Sequence, residues 1–359
     1  MKILYDSHIF LTHKAGGISR YHYELYKGIY ESTHSVKLAG KFYKNQYLKE
    51  DKLLSKSLFY DPTASFSAVN KYLIKKSLKN KKAYDLYHPS NPYEYLFDEI
   101  PSDKKVVLTI HDMIPEKIYH ESYEDKLKFA NRADKIIAVS EATKKDVVDI
   151  LGTAPDKIEV IYHGSSFRAE HADLVKNKPA GLPEKYVLYV GNRNDYKNFK
   201  GLVKAIVPLL KKDSSFYLVC AGKRFFSKKE QEFLQSLGVE NKVLCYVGVD
   251  DNLLAYLYRH AKAFVFPSLN EGFGIPILEA WSCGTPVVLS ENPCFLEVAE
   301  DAGFYFDSSD SDSIAESVEK VVRDRELRKE LTEKGKKRLE LFSWDKTVRQ
   351  TIQLYESLF

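Results

Sequence analysis

The sequence predicts an α/β protein made of two doubly wound parallel-sheet domains that face each other across a cleft. Short β-branched and aromatic runs, such as residues 2–5, 106–110 and 186–190, are typical of buried strands. Amphipathic helical patterns such as residues 141–151 and 251–260 lie between them. Strands that alternate with helices favour parallel sheets covered on both faces, and 359 residues suit two domains.

The other elements continue this alternation along the chain. Further strands are expected at residues 135–139, 158–162, 216–220, 243–247, 263–266 and 286–289. Further helices are expected at residues 19–30, 199–210 and 228–237. Because ligands of open parallel sheets bind beyond the carboxyl ends of the strands, the residues that directly follow strands are candidates for function.

A polar segment divides the chain. It carries Lys178-Pro179 and Gly181-Leu182-Pro183, a composition that predicts a linker at residues 166–183. We therefore expect an N-terminal domain at residues 1–165 and a C-terminal domain at 184–342. A final helical pattern at residues 343–359 is expected to pack back on the N-terminal domain.

Composition excludes several classes of protein. Hydrophobic residues make up 44% and charged residues 29%, which excludes a wholly disordered chain. The net charge of +4 gives no global field for a nucleic-acid partner. The four cysteines form no metal-ligand spacing, so we expect no metal site. No leader peptide or membrane-spanning stretch is evident at the sequence level, and a cytoplasmic location is expected.

The strongest local signal is the segment from Pro267 to Ala280. A buried strand ends before it, a loop with Gly272 and Gly274 follows, and an apolar helix then begins. The glycines let the backbone approach a ligand, and the free N–H groups of the helix start suit a phosphate. Glu271 and Glu279 lie eight positions apart, about 12 Å if helical, and so can address opposite ends of an extended ligand.

Three further strand-end or loop signals are weaker when taken alone. Arg193 and Lys197 follow the strand at 186–190 and are two cations suited to phosphate oxygens, or else a solvated basic turn. Gly16 and Gly17 precede a helix and form either a phosphate-approach loop or a simple turn. His111 follows the strand at 106–110 and either meets a substrate or has a structural role.

One basic run stands apart from these loops. From Lys71 to Lys82 the sequence has six lysines and no acid, with apolar residues interleaved. Such a segment is either the solvated face of a helix or an interfacial helix on anionic lipid.

Taken together, these motifs resemble the retaining glycosyltransferases of family four, which have the GT-B architecture of two Rossmann-like domains. The marker is the E-x7-E motif, here Glu271 to Glu279. The other matching segments are Val139-Ser140-Glu141, Cys283-Gly284-Thr285-Pro286-Val287-Val288, Glu297 and Phe342-Ser343-Trp344. The Gly16-Gly17 loop and the segment from His111 to Pro115 look like bacterial members that build surface polysaccharides such as lipopolysaccharide, often as mannosyltransferases.

The resemblance implies a role for each motif. The N-terminal domain would take a saccharide or lipid-linked saccharide acceptor at the membrane, and the C-terminal domain a GDP-mannose or UDP-sugar donor, without a cofactor or metal. Members often place the arginine and lysine five residues apart, whereas Arg193 and Lys197 are four apart. The implied catalytic residues are Glu271, His111, Arg193 and Lys197. The implied donor-binding residues are Gly16, Gly17, Arg193, Lys197, Val249, Glu271, Gly272, Phe273, Gly274, Ile275 and Glu279.

Two other functions share most of these features. A nucleotide-sugar epimerase of the same fold would need no acceptor, so product formed without one would indicate it. A non-catalytic nucleotide-sugar binding protein would have a degenerate site, against which the presence of Glu271, Glu279, Arg193, Lys197 and His111 argues. A dinucleotide oxidoreductase is disfavoured because no G-x-G-x-x-G follows the first strand.

Overall fold

The computed structural model describes all 359 residues, and the chain divides into two compact units. The first unit comprises Met1–Gly164 and Trp344–Phe359, and the second comprises Ser165–Ser343. Each unit has its own six-stranded parallel sheet covered by helices, which confirms the predicted α/β class with two parallel-sheet domains.

The first unit contains eight strands and nine helices. Its strands are β1 (Lys2–Asp6), β2 (Ser35–Ala39), β3 (Phe42–Tyr43), β4 (Phe59–Tyr60), β5 (Leu86–His88), β6 (Lys105–Ile110), β7 (Lys135–Ala138) and β8 (Ile158–Val160). Its helices are α1 (His8–Thr12), α2 (Gly17–Tyr30), α3 (Gln46–Glu50), α4 (Ser67–Lys79), α5 (Glu94–Phe97), α6 (Ile114–Tyr119), α7 (Glu124–Arg132), α8 (Glu141–Leu151) and the C-terminal α17 (Trp344–Glu356).

The second unit contains six strands and eight helices. Its strands are β9 (Lys185–Val190), β10 (Phe216–Gly222), β11 (Val243–Val247), β12 (Ala263–Phe266), β13 (Val287–Ser290) and β14 (Gly303–Phe306). Its helices are α9 (Glu170–Asp173), α10 (Phe199–Lys212), α11 (Lys228–Ser236), α12 (Asp251–His260), α13 (Ile275–Ser282), α14 (Pro293–Ala299), α15 (Ser311–Arg323) and α16 (Arg325–Leu339).

The strand orders set where a ligand can bind. The first sheet has the order β2-β1-β5-β6-β7-β8, and the second has β11-β10-β9-β12-β13-β14. In each sheet the order reverses once, between β1 and β5 in the first unit and between β9 and β12 in the second. Loops diverge to opposite faces at such a reversal and leave a crevice at the carboxyl ends of the two strands.

Local chemistry defines the ends of several helices. Ser140 caps α8 by accepting the Thr143 N–H at 3.0 Å, and Gly152 ends the same helix in the left-handed conformation. In α11 the Ser227 side chain accepts the Glu230 N–H, while the Glu230 carboxylate accepts the Ser227 N–H. These caps begin the helices directly after their loops.

Three strands of the two six-stranded sheets, β2, β5 and β14, were not expected from the sequence, nor was the small sheet of β3 and β4. Strand β2 is an edge strand whose first three residues are exposed or half-buried, so it lacks a continuous apolar run. Strand β5 has only three residues, and β14 is a second, half-buried edge strand. Short or edge strands carry weak hydrophobic patterns, and their partners become visible only in the sheet.

The segment at residues 166–183 differs from the expected linker. It belongs to the second unit, where it contains α9 with a buried Ala172. Arg259 on α12 pairs with Asp173 at 2.5 Å and also donates to the Ala169 carbonyl, so the segment is tied to that unit. A polar, proline-containing composition marks irregular chain but does not show what the chain packs against.

Candidate functional site

The loops after β9 and β12 meet at the reversal of the second sheet. Lys197 lies on the first loop and donates from its ammonium group to the carboxylate of Glu271 on the second. A backbone hydrogen bond of 2.7 Å from the Leu269 N–H to the Tyr196 carbonyl joins the same two loops. The crevice that the strand order predicts is therefore edged by one cation and one carboxylate.

Both charges are partly withdrawn from water. The Lys197 side chain is 15% exposed and the Glu271 side chain 12% exposed. The Lys197 ammonium also lies 5.0 Å from the ring centroid of Tyr196 and 5.4 Å from that of Phe266. Because screening by water is weak at such a site, a charged ligand would interact strongly with this pair.

Gly274 shapes the backbone at the start of α13. Its φ of +99° lies in the left-handed region, and a Cβ here would lie 3.0 Å from both Ile277 and Phe295. Helix α13 begins at Ile275, and Pro276 occupies its first turn, where a missing N–H costs nothing. The helix N-terminus thus directs its dipole and free N–H groups into the loop that carries Glu271.

Glu279 lies on α13 and accepts a hydrogen bond of 3.1 Å from the Tyr258 hydroxyl. Burial raises the pKa of Tyr258 well above its usual value, and the nearby Glu279 carboxylate raises it further. Tyr258 therefore remains a donor that orients Glu279. Only the residues from Ile275 onward are helical, so the helical rise alone does not set the separation of Glu271 from Glu279.

Arg193 is placed differently from the sequence expectation. Its side chain is 1% exposed, and its Nε donates to the Glu230 carboxylate at 2.8 Å. One terminal nitrogen donates to the carbonyls of Arg224 and Phe225, both at 2.9 Å. The guanidinium group donates its hydrogen bonds to protein acceptors and does not present N–H donors to a ligand.

Glu230 holds a second arginine beside the first. Burial alone would raise the pKa of the Glu230 carboxyl group. Hydrogen bonds from Arg224, the Ser227 N–H and Arg193 instead lower this pKa to about 2. The Arg224 side chain, which is 55% exposed, contacts the other Glu230 oxygen at 2.5 Å. Arg193 therefore fixes the loop after β10, while Arg224 and its neighbour Lys223 are exposed cations of that loop.

The remaining donor-site candidates of the second unit lie in the loop before α13 and just after β11. Gly272 and Phe273 are buried in the loop before α13, and the Phe273 ring lies 5.8 Å from that of Phe342. Val249 is half-buried and is the second residue after β11; Gly248, which precedes it, has a φ of +70°. Phe273 therefore contributes packing, while Val249 lies beyond the carboxyl end of β11, which is the edge strand two positions from β9.

Gly16 and Gly17 lie in the first unit, where Gly17 begins α2. Gly16 has a φ of +136°; its N–H donates to the Tyr47 hydroxyl at 3.2 Å, and its carbonyl accepts from the Ser19 hydroxyl at 3.0 Å. The turn therefore requires glycine, and the Gly16 N–H already has a protein acceptor.

His111 follows β6 and packs among aromatic rings. Its ring lies 4.9 Å from that of Tyr21 and 5.7 Å from those of His22 and His163. Burial, with the Lys126 ammonium nearby, lowers the pKa of His111 to about 3, and its buried Nε2 has no protein partner. His111 is therefore neutral near pH 7 and suited to hydrogen bonding rather than to carrying charge.

Sequence reasoning missed that four histidines cluster in the first unit. His22, His88, His111 and His163 are far apart in the chain, and only His111 and His163 directly follow predicted strands. Helix α17 closes the cluster, with Trp344 5.7 Å from His163 and the Tyr355 hydroxyl bonded to His88. Isolated histidines at irregular spacing carry no signal for such a cluster.

The basic run on α4 is partly neutralised. Lys75 and Lys79 both pair with Glu99 at 3.1 Å, and Lys81 pairs with Asp103 at 3.4 Å. Lys71 lies 4.8 Å from the Tyr95 ring centroid. The acids missing from the run itself are supplied by a neighbouring segment.

None of the helices is both long and apolar enough to cross a bilayer.

Comparison with protein families gives a match to each unit. Residues 172–338 match the model for glycosyl transferases group 1, and residues 15–166 match the model for Glycosyltransferase Family 4. The O-antigen chain mannosyltransferase B of Escherichia coli is 31% identical over 306 residues, which cover 79% of this chain and 76% of that protein.

Two solved structures share the fold over nearly the whole chain. The sucrose-phosphate synthase of Thermosynechococcus elongatus aligns with a TM-score of 0.76 and 20% identity, covering 100% of this chain and 99% of that one. The Anabaena protein Alr3699/HepE, crystallised with UDP and glucose, aligns with a TM-score of 0.77 and 19% identity, covering 99% and 100%. At these identities the likeness concerns the GT-B fold.

Proposed function

We propose, since this chain belongs to the glycosyltransferases of group 1 and family 4, that it transfers a hexose from a nucleotide-diphosphate donor with retention of anomeric configuration and without a metal ion. The observation that carries the proposal is the Lys197–Glu271 pair at the reversal of the second sheet, beside the N-terminus of α13. This places a cation, free N–H groups and a carboxylate around one crevice.

Each group of this crevice suits one part of the donor. The Lys197 ammonium and the N–H groups at Gly274 and Ile275 would stabilise the diphosphate as it departs. Glu271 would accept hydrogen bonds from hydroxyls of the donor sugar, and its salt bridge to Lys197 would hold it in place. Glu279, oriented by Tyr258, would accept those of the ribose, with the base beside Val249.

In the proposed reaction the donor bond between C1 and the phosphate oxygen breaks with oxocarbenium character. The acceptor hydroxyl attacks C1 from the same face, and its proton passes to the departing phosphate oxygen. The bond lost to phosphate is replaced by the bond to the acceptor oxygen, so the configuration at C1 is retained. Neutral His111 would donate or accept one hydrogen bond on the sugar.

The names of the relatives support our choice of donor and acceptor classes. The relative cited above is named an O-antigen mannosyltransferase, which favours GDP-mannose, and the HepE structure contains UDP, which keeps UDP-sugars as candidates. We propose that the acceptor is a saccharide or lipid-linked saccharide of a bacterial surface polysaccharide. The first unit would then act at the inner face of the cytoplasmic membrane.

Calorimetric titration with UDP, GDP and ADP, with EDTA present throughout, tests the donor site. Micromolar binding of one nucleotide is expected, and it would restrict the donors to sugars on that base. No binding of any of the three would contradict the proposal. Product analysis with the matching nucleotide sugar then separates transfer, which requires an acceptor, from an epimerase, which does not.

A further inference from the structure

A cavity of about 540 Å³ on the first unit is lined almost entirely by charged and polar side chains. Its walls carry Lys14, Lys44, Lys49 and Lys52, together with Gln46, Glu50 and Tyr60. Four lysine side chains and one glutamate side chain thus line one cavity, and the Lys49 ammonium lies 4.6 Å from the ring centroid of Tyr60. No motif in the sequence singles out these lysines, because Lys14 comes from one segment and the other three come from residues 44–52.

The wall of this lysine cavity is rigid. Asn45, which is fully buried, accepts the N–H groups of Tyr47 and Leu48 and so caps α3. Its side-chain amide donates to the carbonyl of His13 at 3.0 Å, and the Gln46 N–H donates to the Lys14 carbonyl at 2.8 Å. The segment with Lys14 is therefore fixed against the segment with Lys44 and Lys49 before any ligand binds.

The charges of the cavity are not balanced by the protein. None of its four lysines forms a salt bridge, in contrast to Lys75 and Lys79 on α4, which share Glu99. The single carboxylate, Glu50, accepts a hydrogen bond of 3.0 Å from Gln46. Like charges held around one cavity repel each other, and a bound anion relieves that repulsion.

We propose that the lysine cavity binds a phosphate or diphosphate group carried by the acceptor; this rests on the function proposed above. Ammonium groups act as strong point charges toward phosphate oxygens, and a concave site of this size fits a small multivalent anion. The net charge of the whole chain is only +4, so the cavity concentrates positive charge locally. Such a phosphate group belongs either to a membrane lipid or to a soluble phosphorylated saccharide.

The test uses two variants with the same change in charge. The cavity variant combines Lys44→Gln, Lys49→Gln and Lys52→Gln. The control variant combines Lys204→Gln, Lys229→Gln and Lys329→Gln, which are exposed positions on helices of the second unit. Both are made in a Lys197→Ala background, so that the donor crevice contributes little. Calorimetry with inorganic pyrophosphate should show at least tenfold weaker binding in the cavity variant and unchanged binding in the control.

A second arm identifies the source of the phosphate. Co-sedimentation with vesicles of phosphatidylcholine and phosphatidylglycerol should fall in the cavity variant alone if the group belongs to a lipid. Weaker binding of pyrophosphate with unchanged vesicle binding supports a soluble phosphorylated acceptor. Equal losses in the cavity and control variants, or no loss in either arm, would overturn the proposal.

Nucleotide binding separates this inference from the proposed function. The cavity substitutions are also made with Lys197 intact and titrated with UDP and GDP. Wild-type nucleotide affinity and an unchanged thermal midpoint would show that the donor crevice and the fold are intact. A failure of the cavity proposal then leaves the donor assignment standing, and absent nucleotide binding in the wild type would count against the donor assignment alone.

Discussion

Lys197 and Glu271 lie 74 residues apart in the sequence, yet the Lys197 ammonium donates directly to the Glu271 carboxylate. The pair joins the loops that follow β9 and β12, the two strands between which the order of the second sheet reverses. A cation needed for a phosphate is thus held beside a carboxylate suited to a sugar hydroxyl.

Replacing Lys197 with alanine should abolish most of the transfer activity. The variant loses a preorganised positive charge at the departing diphosphate, an interaction whose removal lowers kcat by about 10²- to 10³-fold. Lys200→Ala changes an exposed lysine three residues further along the chain and should retain near wild-type kcat. Steady-state rates of sugar transfer to the acceptor measure both, and a Lys197→Ala enzyme with wild-type kcat would remove Lys197 from the mechanism.

Removing Arg193 should affect stability more than removing Arg224. Arg193→Leu removes one of the donors of the buried Glu230 carboxylate and the Arg193 hydrogen bonds to two carbonyls, and loss of one partner of a buried pair costs up to about 3–5 kcal/mol. Arg224→Gln removes a half-exposed contact and should cost less than about 1 kcal/mol.

Urea unfolding of the two arginine variants checks this difference. Equal stabilities for the two variants would show that the buried network around Glu230 does not support the second unit. Should Arg193→Leu fold with unchanged stability but fail to bind nucleotide, the sequence-based role of Arg193 at the diphosphate would be restored.

Gly274→Ala should disturb the start of α13. Alanine at a φ of +99° is strained, at a cost of about 1–3 kcal/mol, and its Cβ would also press on Ile277 and Phe295 at 3.0 Å. Gly181→Ala provides the control, because Gly181 has a similar positive φ of +72° but no atom within 4 Å of the added Cβ. The thermal midpoint should fall further for Gly274→Ala, and nucleotide affinity should fall only there.

The histidine cluster should make the first unit sensitive to acid. Burial lowers the pKa of His88 and His111 to about 3, and burial also lowers those of His22 and His163. Unfolded histidine titrates near pH 6.5, so between about pH 6.5 and 3 the unfolded state binds more protons. Stability should therefore fall as the pH falls, by about 1.4 kcal/mol per pH unit for each buried imidazole.

His22→Leu tests the acid sensitivity without removing a side-chain hydrogen bond, since neither ring nitrogen of His22 has a protein side-chain partner. The variant should show a shallower loss of stability between pH 6.5 and 4.5, measured by urea unfolding at each pH. An unchanged slope in His22→Leu would show that His22 does not titrate on unfolding.

Several features could be predicted from the chain alone because they are local. The strands β11 and β12 and the helices α8 and α12 have the predicted bounds, since each combines a regular apolar pattern with capping or turn residues at its ends. The segment from Pro267 to Ala280 is a second example. It follows a predicted strand and contains two glutamates, two glycines and a proline at a helix start, and the structure has the strand, the loop and the helix in this order.

The partners of charged side chains were decided by the tertiary structure. Arg193 and Lys197 look alike in sequence, two cations four residues apart on one loop, yet Arg193 is buried against Glu230 while Lys197 reaches Glu271. Only folding brings the four histidines together, and only folding brings Lys14 to the other three lysines of the cavity. Hydrophobic periodicity is encoded within a few residues, whereas an ion pair or a cluster depends on which distant segments the packed sheets place side by side.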